Sequence, residues 1–375
     1  MRPRLKRARM SLLKLLKVLL LALLSGAGAA EAQAPAPVPA AQPIRIGYVF
    51  SDGNTPGTLA AWRQLIEARP DLKDRVELLI LSESSTEDAP AAELAAADVL
   101  VFDVMNQQML DRFNDENGTD LLRSISARGV VLGVGEGLQG EDHYRELGVT
   151  WDAKARAYWQ HGGPQNQLAL LQLALTRAGI SGFDLPEAEQ SLDFGYYYPD
   201  GGSGRVFASW DEFQGWRQAN DKLRPGAARV AIGFFKANYY SGDMALVDAL
   251  IAQVESRGAE AVPLFGYPAA VAFKELLGTG ENVRADVGLG LSFQFNDADA
   301  AKLLEEVGIP IINLVSLYGR SEEEWRNSTT GLSAFEGTFN LASPELAGTT
   351  APTVVGTKEK VRDAATGLNS VITSP

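Results

Sequence analysis

The chain contains no cysteine among its 375 residues. That absence excludes a disulfide scaffold, a thiolate metal site and a cysteine nucleophile together. Histidine is nearly as scarce. His143 and His161 are the only two, too few for an imidazole-based metal cluster. No G-x-x-x-x-G-K-[ST] occurs, so the chain does not itself hydrolyse ATP through a P-loop. Neither H-E-x-x-H nor G-x-S-x-G is present. Positive charge is in the minority, with 34 Lys and Arg against 47 Asp and Glu and a net charge of −13. Nucleic acid and anionic lipid would both repel such a chain, and the acidic surplus serves solubility.

Most of the positive charge near the start sits outside any fold. Arg2, Arg4, Lys6, Arg7 and Arg9 precede an apolar stretch from Leu12 to Leu24, interrupted by Lys14 and Lys17. A small, Ala-rich segment follows, with Ala30-Glu31-Ala32 as a cleavage candidate. This is the order of a secretory signal peptide over residues 1–32. The uninterrupted apolar run, Val18–Leu24, is far shorter than the ~20 residues a spanning helix needs. The expected location is therefore periplasmic or secreted, by the general secretory route, with no stable membrane span after cleavage. The alternative is a membrane anchor formed by residues 10–24. Residues 33–43 read as an extended Pro/Ala linker.

From Ile44 onward the apolar pattern alternates between short runs and helical periodicity. Strands are expected at 44–50, 76–81, 99–103 and 130–134, with helices at 58–69, 93–97 and 121–128 between them. The alternation restarts at 228–235. Strands are then expected at 259–265, 285–291 and 309–315, and helices at 243–257, 269–277 and 298–307. Strand–helix alternation implies parallel sheets with helices on both faces. The expected fold class is α/β, with two flavodoxin-like or Rossmann-like lobes at 44–150 and 228–357. Residues 151–227 hold a helix at 166–178 and an aromatic, Gly-rich loop at 194–202, and read as a connector. Residues 358–375 read as a tail or a truncated continuation.

In open α/β sheets, ligands sit outside the carboxyl ends of the strands. The loops to watch are 51–58, 103–107, 135–140, 236–243, 266–268, 292–296 and 316–325. They are rich in Ser, Asp, Asn, Gln and Gly, which suit polar ligands and ordinary turns alike. Gly135-x-Gly137-x-x-Gly140 matches a dinucleotide fingerprint. The match is weak, because it follows the fourth strand instead of opening the first strand–helix unit.

One stretch has an order that composition does not explain. Glu322–Pro352 reads EEEWRNSTTGLSAFEGTFNLASPELAGTTAP. Its Trp, small-residue step, Gly-Leu and Pro-Glu-Leu-x-Gly resemble the large, tetrapyrrole-binding subunit of the cobalt and magnesium chelatases, the CobN type. Three further blocks resemble that family: Tyr158–Leu175 with its Gly-Gly turn, Tyr196–Gly202, and Tyr239–Pro268. Tyr198 stands where the family often has His. Family members are several times longer, so the resemblance implies the N-terminal portion of such a subunit.

The resemblance implies binding of a tetrapyrrole and handling of a divalent metal, cobalt or magnesium, in ATP-driven metal insertion. In an exported chain the same scaffold would serve salvage or metal removal. AAA+ ATPase chelatase subunits are the partners implied for a cytoplasmic chain. This chain alone would be inactive. By the same resemblance Glu345 is the candidate catalytic carboxylate. Asn166, Tyr239, Asp243, Trp325, Ser328 and Gly331 are candidate ligand contacts, and His161 is a candidate metal ligand. A functional Glu345 should face a cleft between the 316–325 and 236–243 loops. A structural Glu345 should accept backbone N–H bonds instead. The competing reading is a two-lobed periplasmic module that closes on a small polar ligand.

Overall fold

The computed structural model describes residues 42–83, 91–111, 117–202, 204–291, 299–318, 320–364 and 366–375. The expected signal peptide, nearly all of the linker, and the 292–296 loop lie outside the described residues. Among the described residues, no helix is long and apolar enough to cross a membrane.

The first sheet comprises β1 (Ile44–Val49), β2 (Val76–Leu81), β3 (Val99–Asp103), β4 (Val130–Val134) and β5 (Val149–Thr150). Their order is β2-β1-β3-β4-β5, and every neighbouring pair is parallel. Near-continuous apolar strands of this kind need cover on both faces. Ile46, Tyr48 and Phe50 turn one face toward the helices Thr55–Ala68, Ala153–His161 and Gly163–Arg177. Val49, Leu100, Phe102 and Val131 turn the other toward Leu122, Ile125 and Tyr144. The early half of the expected connector is thus cover for the first sheet.

The second sheet has eight strands: β6 (Phe194–Tyr198), β7 (Arg205–Phe207), β8 (Arg229–Phe234), β9 (Glu260–Gly266), β10 (Val287–Leu291), β11 (Ile311–Tyr318), β12 (Thr350–Arg362) and β13 (Asn369–Ser374). Their order is β13-β12-β11-β10-β8-β9-β6-β7. The run from β12 to β9 is parallel, as the strand–helix alternation requires. Both edges are antiparallel, so the sheet is mixed, with the expected parallel run at its centre. The reason is connection length. Short turns link β6 to β7 and β12 to β13, and a parallel pairing needs a crossover of a dozen or more residues.

The aromatic segment expected as a loop is strand β6, with Tyr196, Tyr197 and Tyr198 each 1% exposed. Tyr196 stacks on Phe213 at 5.2 Å, and Tyr198 tilts against Trp216 at 5.0 Å, both from the Trp210–Ala219 helix. Tyr197 turns to the opposite face and donates to Asp248 at 2.8 Å. These rings are core, not a platform for a macrocycle. Likewise residues 358–375, expected as a tail, supply the end of β12 and all of β13.

The two sheets share a hydrogen-bonded seam. Thr55 Oγ1 accepts from the Val371 N–H at 3.1 Å and meets Ser370 Oγ at 3.3 Å. Tyr318 donates to Asp52 Oδ2 at 3.2 Å, and Gln167 Nε2 donates to the Tyr240 carbonyl at 2.7 Å. At the same seam Gly242 ends the Lys236–Ser241 helix with φ of +84°, and a Cβ there would lie 3.1 Å from Gly57 Cα. Gly242→Ala should therefore lower stability by about 2 kcal/mol, from left-handed strain and crowding together. Chemical denaturation of the two proteins checks this, and an unchanged midpoint would contradict it.

Candidate functional site

An open cleft of about 790 Å³ lies at the carboxyl ends of strands from both sheets. Asp52 and Glu83 come from just beyond β1 and β2. Tyr318, Arg320, Lys358 and Lys360 come from β11, its following loop and β12. Strand ends dictate the placement of Asp52, Glu83, Tyr318 and Arg320, which sit at or just beyond the carboxyl ends of β1, β2 and β11, while Lys358 and Lys360 project from within β12. The Asp52 N–H donates to Glu83 Oε2 at 2.6 Å, which ties the two first-sheet loops together. Burial pushes the Tyr318 hydroxyl above its ordinary pKa, and the nearby Asp52 and Glu83 charges add to the effect. The phenol is therefore a hydrogen-bond donor at neutral pH. Glu359 behaves oppositely. Hydrogen bonds from the Thr357 hydroxyl and the Glu322 N–H hold its carboxyl below the ordinary range.

The family-like segment forms one wall of this cleft. Ser321 caps the Glu322–Asn327 helix in a reciprocal capping box with Glu324. Arg320 reaches across the loop that follows. Its guanidinium donates to the Gly331 carbonyl at 3.0 Å and to Glu336 Oε2 at 2.7 Å, and lies 5.7 Å from the Trp325 ring centre. Gly331 has φ of +67°, a conformation that explains glycine there. Burial alone would raise the Glu336 carboxyl. Hydrogen bonds from Ser333 and the Arg320 charge outweigh it and hold the group below the ordinary range. Ser328 caps the loop locally, its Oγ accepting from the Thr330 N–H at 3.3 Å. Trp325 and Gly331 thus meet Arg320, a residue the sequence pattern does not single out.

The other sequence candidates fall elsewhere. Glu345 sits exposed on the short Ser343–Leu346 helix, its carboxylate without a partner among the described residues. It faces neither the cleft nor backbone N–H groups, so neither geometry expected of it is present. Asn166 is 3% exposed. It donates to the Gly162 and Glu189 carbonyls and accepts from the Glu189 N–H, which straps residues 180–193 to the first sheet's cover. Asp243 is buried and accepts from Thr373 N–H at 2.9 Å and Thr373 Oγ1 at 2.6 Å. Tyr239 packs flat over Phe265 with centroids 6.4 Å apart, and burial pushes its hydroxyl up to about 12. His161 Nδ1 lies 3.3 Å from Ser191 Oγ. Among the described residues, no group of three or more His, Asp or Glu is arranged to hold a metal ion.

The weak glycine fingerprint has a structural cause. A Cβ on Gly135 would lie 2.3 Å from Asp103 Oδ1, and one on Gly137 would lie 2.5 Å from the Tyr144 hydroxyl. These glycines make room for the protein's own side chains. Asp103 itself is 5% exposed at the end of β3. Burial pushes its carboxyl from an ordinary 3.8 up to about 6, against the opposing bonds from the Met105 N–H and Asn106, with Glu83 adding to the rise. The folded state then binds the proton more tightly than the unfolded chain. Its contribution to stability is full below about pH 4 and is lost as pH rises through about 6. Asp103→Asn should flatten that part of the stability profile between pH 4 and 7. Thermal melts across that range measure it, and identical slopes for both proteins would contradict the assignment.

Comparison with known proteins agrees with this architecture. Residues 156–374 match the family described as CobN/Magnesium Chelatase. The aerobic cobaltochelatase subunit CobN of a Sinorhizobium species is 31% identical over 201 residues, which cover 51% of this chain and 15% of that protein. The chloroplastic magnesium-chelatase subunit ChlH of Oryza sativa subsp. indica is 26% identical over 219 residues, covering 52% of this chain and 16% of that one. Among solved structures, the catalytic subunit of cobaltochelatase from Mycobacterium tuberculosis superposes with a TM-score of 0.59 at 18% identity. That match covers 89% of this chain and 26% of the other, and it supports the fold. The chain thus spans only a small fraction of the length of these relatives. With more than half of its residues matched, the chain belongs to the CobN/magnesium chelatase family.

Proposed function

We propose that this chain is a tetrapyrrole-binding portion of a chelatase large subunit and that the open cleft receives the ring. The observation that carries the proposal is the composition of that cleft. Lys358 and Lys360 line the same 790 Å³ space as Asp52, Glu83 and Glu323. Its volume lies within the range of about 300–1,000 Å³ typical of ligand sites. A tetrapyrrole presents an apolar disc with carboxylates at its rim. The Lys360 ammonium is suited to those rim carboxylates, and Lys358, 3.6 Å from Asp243, adds positive charge to the same space. Metal insertion also needs acceptors for two pyrrole N–H protons and for a cation shedding water. Asp52, Glu83 and Glu323 are the acceptors this wall offers, since carboxylates take protons and bind hydrated cations weakly. The cation here is substrate, so a closed resident metal site is not required.

We also propose that the chain acts outside the cytoplasm, a reading supported by the residue order of 1–32. Export would favour salvage or metal removal over ATP-driven insertion. The direct test is titration of the recombinant chain into a metal-free porphyrin bearing free rim carboxylates. A saturable Soret-band shift is expected, weaker for the same ring with its carboxylates esterified. No spectral change with either ring would refute binding by this portion.

A further inference from the structure

A second pocket, of about 200 Å³, lies at the seam between the first sheet's helices and the Lys236–Ser241 helix. It is separate from the open cleft and shares no lining residue with it. Its walls are largely aromatic, from Tyr48, Tyr158, Trp159 and Tyr240. Two of its polar groups are unusual. Tyr48 is 2% exposed and Thr58 is 7% exposed, yet neither hydroxyl has a hydrogen-bond partner among the described residues. Neither oxygen is sealed off, so both keep surface that a pocket occupant can reach. Hydroxyls of residues this deeply buried are ordinarily hydrogen-bonded, and an occupant of the pocket can supply the partner. Here two such groups from β1 and the Thr55–Ala68 helix line one cavity.

Of the other polar side chains that line the pocket, Lys236 is the one that carries a fixed charge. Lys236 lines the pocket, with its ammonium 5.9 Å from the Tyr240 ring centre. Its partner is Asp193 at 3.0 Å, a carboxylate that is 83% exposed. A surface pair of that kind contributes little and leaves the ammonium available to a second carboxylate. The size is informative as well. A dry cavity of about 150 Å³ suffices for benzene, so this pocket has room for one ring with one or two substituents. It is too small for a tetrapyrrole.

We propose that this pocket binds a single-ring aromatic carboxylate, with the ring against Trp159 and Tyr240, the carboxylate at Lys236, and a polar ring substituent at the Tyr48 and Thr58 hydroxyls. Burial keeps the Tyr48 phenol protonated, so it can donate. The site is independent of the tetrapyrrole reading and can hold if that reading fails.

The probe is 4-hydroxybenzoate, titrated into the whole chain by calorimetry and by tryptophan fluorescence, with phenol as the analogue lacking the carboxylate. Saturable binding is expected, about tenfold weaker for phenol. Tyr48→Phe, which removes only the hydroxyl, and Lys236→Gln should each weaken the acid about tenfold. Thermal melts confirm that both variants are folded, and porphyrin titration of Tyr48→Phe should match the parent protein. No binding up to millimolar acid overturns the proposal. So does acid binding that is indifferent to both substitutions, or phenol binding as tightly as the acid.

Discussion

Glu260→Ala should lower stability by about 3–5 kcal/mol, as expected when one partner of a buried ion pair is removed. Glu260 opens β9 and is 4% exposed, beside an Arg217 that is fully buried. The pair is 3.4 Å apart, and Glu260 Oε2 also takes Arg229 Nε at 3.3 Å. Its other oxygen accepts the Arg224 N–H. Arg217 has one other hydrogen bond, to the Lys222 carbonyl at 3.2 Å, while its Nε and one terminal nitrogen lack partners and its guanidinium rests over Phe213 at 5.3 Å. Removing the carboxylate strands a buried cation and an amide at once. Glu260→Gln should do less damage, because it can still accept the Arg224 N–H. Urea denaturation distinguishes them, and a loss below about 1 kcal/mol for the alanine variant would contradict the assignment.

Asp243→Ala should cost about 3 kcal/mol and release β13 from the sheet edge. The carboxylate accepts both the N–H and the hydroxyl of Thr373, with Lys358 at 3.6 Å. Hydrogen bonds to a charged group contribute about 1.5–3 kcal/mol each, and truncation leaves the Thr373 N–H buried and unpaired. Hydrogen exchange should accelerate selectively at 369–374. Uniform acceleration across both sheets, or none, would contradict the role.

That result bears on what a sequence can disclose. Asp243 reads as a ligand contact because its segment, Tyr239–Pro268, resembles the chelatase large subunits. Its partner, Thr373, lies 130 residues away in a segment that reads as a tail, so no local signal connects them. The strands of both parallel runs were legible, because burial on two faces demands unbroken apolar stretches such as Val99–Asp103 and Glu260–Gly266. The helix at 269–277 was legible for its long apolar face. The strand Phe194–Tyr198 was not, because three consecutive aromatics between turn residues show neither alternation nor helical period. Only the rings of the Trp210–Ala219 helix on one side and Asp248 on the other reveal why all three are buried.

The candidate site was half legible. The order of residues in 322–352 drew attention to a segment whose Glu323, Glu324 and Asn327 line the cleft, while the candidates Trp325, Ser328 and Gly331 do not line it. Arg320, which meets Trp325 and Gly331, precedes the recognisable block. Lys358 and Lys360 lie in β12, whose membership of the sheet depends on pairing with β11. The seam hydrogen bonds also set a limit on the alternative of lobes closing on a small ligand. Thr55, Gln167 and Asp52 are each bonded across the seam, and a closing motion would have to break those bonds.

The most direct test of the central claim is the affinity of a carboxylated, metal-free porphyrin for Lys360→Glu. Lys360 is exposed on the cleft wall, so the change should leave folding intact. Reversing its charge replaces attraction for a rim carboxylate with repulsion. The Soret titration should then show binding weakened at least tenfold, about 1.4 kcal/mol, with the esterified ring affected far less. Equal affinities of the parent and variant proteins for the carboxylated ring would place the tetrapyrrole outside this cleft and contradict the account.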